Sequence, residues 1–331
     1  MYFNPFDTVE DRVNKLAGRM KKLESTFDEE SYQIYFTPTS IKKYIELVIK
    51  KQNSRKNGFF PYEKKDFVRY FKEIDPKFDI ENLKYDSSDN LEAISKTIAN
   101  QGKSGYSYLV NIERVINLNK PTLMFYGFEQ IAAFYRNSHF NFTDENVKYD
   151  SIRNRFQRHG IDPYNFKNFD TNLTLNEIME MKIKLKIEGF CPIFFLLFES
   201  DHWSSLIDLF IDEKEISMIE LLKNFFYRNE SLPPLILSKF KENFGNELPK
   251  QRLNSTVLTI YLISFLFSHI SRYKMHTWIN LVENDEKNIS YYINFILKYG
   301  WLIFIKLLFI RLFNNETRLG GTHHESLFGF L

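Results

Sequence analysis

From Arg153 to Gly160 the chain reads Arg-Asn-Arg-Phe-Gln-Arg-His-Gly. Arg153, Arg155, Arg158 and His159 thus fall within about two helical turns. The chemistry such a group could perform acts on a phosphodiester: guanidinium neutralises the phosphate while imidazole transfers a proton. Arg153 and His159, separated by five residues, are the candidate catalytic pair. The same residues also have a structural use, because Gly160 suits a helix C-cap and cations in a last turn are favoured by the helix dipole. A second set is suited to binding. Glu129 and Arg136 lie seven residues apart, hence on one helix face, in a segment that is otherwise apolar on almost every side. Buried charge needs partners, so Glu129, Arg136, His159 and Arg272 are expected to line a polar ligand pocket.

The spacing of Arg153 and His159 is similar to the Arg-x(4–6)-His element of HEPN-type ribonucleases, small helical nucleases acting on RNA. That resemblance implies metal-independent cleavage, although any basic helix with a histidine matches the pattern. Other signatures fail. Gln101-Gly102-Lys103-Ser104 ends like a phosphate loop, but the first glycine of that motif would have to stand at Thr97. Gly-x-Gly-x-x-Gly, Gly-x-Ser-x-Gly and His-Glu-x-x-His do not occur. Cys191, between Phe190 and Pro192, reads as a small hydrophobe. His323 and His324 beside Glu325 lack a third positioned ligand. His202, His269 and His276 read as core or interface histidines. The sequence therefore implies no cofactor and no bound metal.

The elements that must position these residues are mainly helices, giving a mainly α fold as a multi-helix body. Apolar residues recur at helical spacing over Val9–Leu23, Ile41–Val48, Phe67–Ile74 and Leu91–Ile98. From Pro121 to Tyr135 apolar residues surround the helix, which places it at the centre. Met181–Ile187 alternates, with Ile183, Leu185 and Ile187 against Lys182, Lys184 and Lys186, which predicts a strand. At most one short hairpin or small sheet is expected near 181–198. Thr174 and Glu177 form a capping box just upstream, so a helix through this region competes. Helical patterns resume at Pro192–Phe198, Ile216–Tyr227, Thr256–Ile270, Ile289–Tyr299 and Trp301–Phe313.

A chain of 331 residues with 34 Phe and 19 Tyr can bury a large aromatic core. Forty-four Lys and Arg against 42 Asp and Glu leave a net charge of +2, far from the basic excess of a typical nucleic-acid binder. Nucleic acid is thus not indicated by net charge, though local patches stay open. The single cysteine points to a reducing compartment, and no apolar run of signal-peptide length opens the chain, so a cytoplasmic location is expected. Val257–Phe267 and Trp301–Phe313 fall short of the ~20 apolar residues that spanning needs, so no transmembrane segment is expected. Trp301–Phe313 is instead a candidate contact helix for an oligomer.

Several blocks together resemble the YaaC-like bacterial proteins. Lys120-Pro121-Thr122-Leu123-Met124-Phe125-Tyr126-Gly127 is similar to their Pro-Leu-Leu-x-Tyr-Tyr-Gly helix. His159-Gly160 falls where that family has a His-Gly pair, and Ile183 to Pro192 resembles its Val-Lys-Ile-x-x-x-Gly-Leu-Phe-Pro segment. Ser271-Arg272-Tyr273 with Trp278 resembles its Arg-Tyr-x(4)-Trp block. A departure follows the His-Gly pair, where Ile161-Asp162-Pro163 stands in place of a dense Arg/Lys run. The resemblance covers roughly Asp66 to Tyr299; with the periodicity before it and the Gly-Gly and paired His after it, the chain divides into an N-terminal helical region over 1–118, a YaaC-like helical core over 119–319 and a flexible tail over 320–331. The resemblance also implies an intracellular interaction or sensing protein with a protein partner or a second copy of itself. Relatives of this general type occur beside phage-defence genes, so a subunit of an antiviral defence complex is the expected setting.

Overall fold

The computed structural model describes residues 91–140, 161–162, 173–185, 215–228, 232, 234–253, 255–283 and 288–317. In chain order they form α1 (Leu91–Val110), a 3-10 turn (Ile112–Arg114), α2 (Lys120–Phe140), β1 (Ile161–Asp162), α3 (Leu175–Met179), β2 (Lys182–Leu185) and β3 (Glu215–Ser217). There follow α4 (Met218–Arg228), α5 (Pro234–Phe244), α6 (Thr256–Tyr273), α7 (Met275–Glu283) and α8 (Ile289–Thr317). The fold of these residues is mainly α, as expected, with one small sheet. The helices expected before residue 91, the one at 192–198 and the tail from 320 lie outside the described residues.

The helix expected to be central is central. Met124, Phe125, Phe128, Ile131, Ala132 and Phe134 of α2 are buried. They face three different helices. Toward α6, Phe125 meets Phe265 edge-on at 5.3 Å and Tyr261 at 5.7 Å. Toward α8, Phe128 stacks on Phe304 at 4.0 Å. Toward α1 the contact is backbone against backbone: a Cβ added at Gly105 would lie 2.9 Å from the Gly127 carbonyl oxygen, and one at Gly127 would lie 2.5 Å from Leu109 Cδ2. Glycine at both positions is what lets α1 and α2 close. The Gly102-Lys103-Ser104 stretch is interior to α1, in agreement with its rejection as a phosphate loop.

The sheet is antiparallel in the order β1-β2-β3. Ile183 and Leu185 of β2 are buried while Lys182 and Lys184 are half-exposed, which is the alternation read from the sequence. Ile183 faces Ile216 across β2–β3, and Ile161 faces Leu185 across β1–β2. Lys182 reaches Glu215 at 3.3 Å. The strand's partners therefore come from 161–162 and 215–217, not from a local hairpin. The competing helix does form, but only upstream. Thr174 caps α3 in a reciprocal box with Glu177, and the chain turns at Glu180 before entering β2. Ile216, placed by its periodicity in a helix, belongs to β3, and the helix begins at Met218.

Two patterns read as separate helices are one. α8 runs unbroken for 29 residues through Gly300. A Cβ there would lie 3.0 Å from Met124 Cε, so this glycine serves close packing on α2 and does not end the helix. Phe304, Ile305 and Leu308, in the stretch expected to contact a second copy, are buried within the chain itself. α6 is buried around nearly its whole circumference, and its N-terminus is capped by Ser255, whose hydroxyl oxygen accepts from the Leu258 N–H at 3.2 Å. Among the described residues no helix is long and apolar enough to cross a membrane.

Candidate functional site

Arg272 stands in the last turn of α6, where the helix dipole favours a cation. Its Nε donates to the Ser268 carbonyl at 3.2 Å, and one terminal nitrogen donates to the Tyr126 hydroxyl on α2 at 3.1 Å. The guanidinium also lies 5.7 Å from the Tyr126 ring centre and 5.2 Å from that of Tyr273. Both distances are within cation–π range. Tyr126 in turn meets Tyr108 of α1 at 6.5 Å. Three helices thus contribute to one surface of phenol rings around a held cation.

His269, one turn before Tyr273, lies 4.7 Å from that ring and 6.1 Å from Phe265. Burial, and then the nearby charge of Arg272, push its pKa from 6.5 down to about 4. The imidazole is therefore neutral near pH 7, and Arg272 supplies the charge. The rim is apolar and open: Tyr273 is 63% exposed, Met275 52%, and Tyr108 and Ile279 39% each. Met275 and Ile279 share one face of α7 by their spacing. His276, between them in sequence, is exposed and lies 3.3 Å from Asn280.

The site has rigid support. Trp278 is fully buried, its indole N–H donates to the Asn117 carbonyl at 3.1 Å, and its ring meets Phe267 at 5.3 Å. This ties α7 to the connection between α1 and α2. Lys274 separates α6 from α7 with φ −135° and ψ 55°, so the chain leaves the helical region for one residue and re-enters it. That break turns Met275 and the residues after it onto a new axis.

Of the residues singled out by sequence, Arg272 is in this site. Glu129 is half-buried on α2, one turn beyond Tyr126. Arg136 falls within α2, two turns further on. Arg153, Arg155, Arg158 and His159 lie outside the described residues, as do Cys191, His202, His323 and His324. Tyr108, Tyr126, His269 and Tyr273 were not picked as site residues. Tyr126 and Tyr273 sit inside the blocks that carried the family resemblance, but their pairing through Arg272 spans 146 residues and has no local signal. The chain matches no family model, no curated protein and no solved structure.

Elsewhere, a concavity of about 390 Å³ lies between α3, α4 and α5 and is lined by Leu175, Asn176, Met179, Glu180, Ile219, Asn243 and Phe244. Asn243 there donates to the Tyr292 hydroxyl at 2.9 Å. Among these described lining residues Glu180 is the one ionisable group.

Proposed function

We propose that this chain is a YaaC-like helical interaction or sensing protein of the cytoplasm, working as a subunit of a bacterial antiviral defence complex. The face that engages its protein partner is built on Arg272, Tyr126, Tyr108 and Tyr273. One observation carries the reading: a guanidinium held between aromatic rings is surrounded by large side chains left in solvent. Arg, Tyr and Met are the residue types enriched where protein surfaces meet. Large side chains left this exposed suit a macromolecular partner better than a small substrate.

The test is co-expression of the full chain with the products of the genes flanking its own, followed by light scattering on the purified material. A stable complex that Tyr273→Glu disrupts supports the reading. A chain that stays monomeric and alone in every pairing sinks it. Cleavage of RNA by the purified chain without added metal, lost in a folded His159→Ala variant, would point instead to the ribonuclease chemistry of Arg153 and His159.

A further inference from the structure

We propose that the segment docking on this face is acidic and apolar, with a carboxylate of the partner received by Arg272 and its apolar side chains covering Tyr273, Met275 and Ile279. This rests on the interaction reading above and names the chemistry of the partner.

The argument is one of charge. Among the described residues Arg272 has no carboxylate partner. The described elements around it carry few acids. No Asp or Glu occurs between Glu247 and Glu283, which covers all of α6 and α7 up to its final residue, and none occurs between Glu92 and Glu113, which covers most of α1. On α2 the one acid is Glu129. The charged groups near this face are therefore the cations Arg272 and Lys274 and, one turn from Tyr126, the half-buried carboxylate of Glu129.

The geometry prepares Arg272 for a carboxylate. Its bonds to the Ser268 carbonyl and the Tyr126 hydroxyl fix the plane of the guanidinium, while it keeps further N–H donors for an incoming acceptor. A planar fork already held in place loses little freedom when it binds, and it matches a carboxylate in bidentate fashion. The exposed rings and aliphatic groups nearby give a partner apolar area that a free anion would leave uncovered. Nucleic acid fits less well, because following a phosphate backbone takes a row of cations and this face offers few.

The experiment uses the full chain and a short fluorescein-labelled peptide alternating Glu with Leu, read by anisotropy. Comparison arms use the same peptide with Gln for Glu, with Ser for Leu, and a single-stranded RNA of similar length. The Glu–Leu peptide is expected to bind, to weaken as salt rises, and to lose about tenfold in affinity with Arg272→Gln. Either substitution in the peptide is expected to weaken binding. Circular dichroism should show Arg272→Gln folded as the parent, since the side chain is exposed. The inference is overturned if the Glu–Leu peptide does not bind, or binds equally to Arg272→Gln. It is also overturned if the Gln–Leu peptide binds as tightly, but Tyr273→Glu abolishing that binding would leave the interaction reading standing. RNA binding that depends on Arg272, in place of peptide binding, overturns both the peptide and the acidic choice.

Discussion

Tyr126 and Tyr292 both sit in aromatic clusters, yet the two clusters end differently. Tyr292 is fully buried; Phe240, Phe226 and Phe244 pack on it at 5.0, 5.3 and 5.8 Å, and Phe226 stacks on Phe240 at 4.5 Å. Its hydroxyl accepts from Asn243, and burial still pushes its pKa up. That cluster, between α4, α5 and α8, is closed. Tyr126 is half-buried, and its hydroxyl accepts from the exposed cation of Arg272 at the edge of solvent. The difference separates two uses of the same residue type. Where phenylalanines complete the shell, the ring contributes area; where a tyrosine hydroxyl and a guanidinium form the edge, the ring becomes a surface for something else.

Five variants test this difference between the clusters. Phe240→Ala removes the centre of the closed cluster and should cost about 3–5 kcal/mol in urea denaturation, whereas Tyr126→Ala should cost distinctly less. Gly127→Ala drives a methyl group into Leu109 and the α1 backbone. Overpacking of this kind should cost about 1–3 kcal/mol, and it should also move Tyr108 away from Tyr126, weakening partner binding. His269 gives a pH test. Its folded pKa, about 4, lies below its ordinary 6.5, so in that interval the unfolded chain binds more protons. Stability is then fully present above pH 6.5 and falls as pH drops toward 4; a His269→Gln variant should flatten that part of the profile, as read by thermal melts across pH. Arg272→Gln should be the gentlest on the fold, within about 0.5 kcal/mol, because the side chain is exposed. An equal loss of stability from Arg272→Gln and Phe240→Ala would erase the distinction between the clusters.

Much of this architecture could be read locally. α2 announces itself through apolar residues on every side, β2 through strict alternation, and α3 through the Thr174–Glu177 box. What escaped is long-range or depends on fit. β1 and β3 are two and three residues long, too short for any period, and they exist only because β2 pairs with them. α5 begins at Pro234, outside the helical patterns named from the sequence, although proline is well suited to the first helical position. Gly300 looks like a break and is a packing residue. Arg272 could be named from its block, but the tyrosine that orients it lies on another helix. Glu129, expected from its apolar surroundings to be a buried charge, is half-buried one turn from that tyrosine.

The continuity of α8 carries a further consequence, for how the molecule opens. Tyr292 and Phe304 stand on the same helix, about 18 Å apart along its axis. One packs into the closed cluster and the other onto Phe128 of α2. A single rod threaded through both makes it costly for either to melt alone. Backbone amides of α4 and α2 should therefore exchange with solvent through one common opening, at a free energy near that of global unfolding.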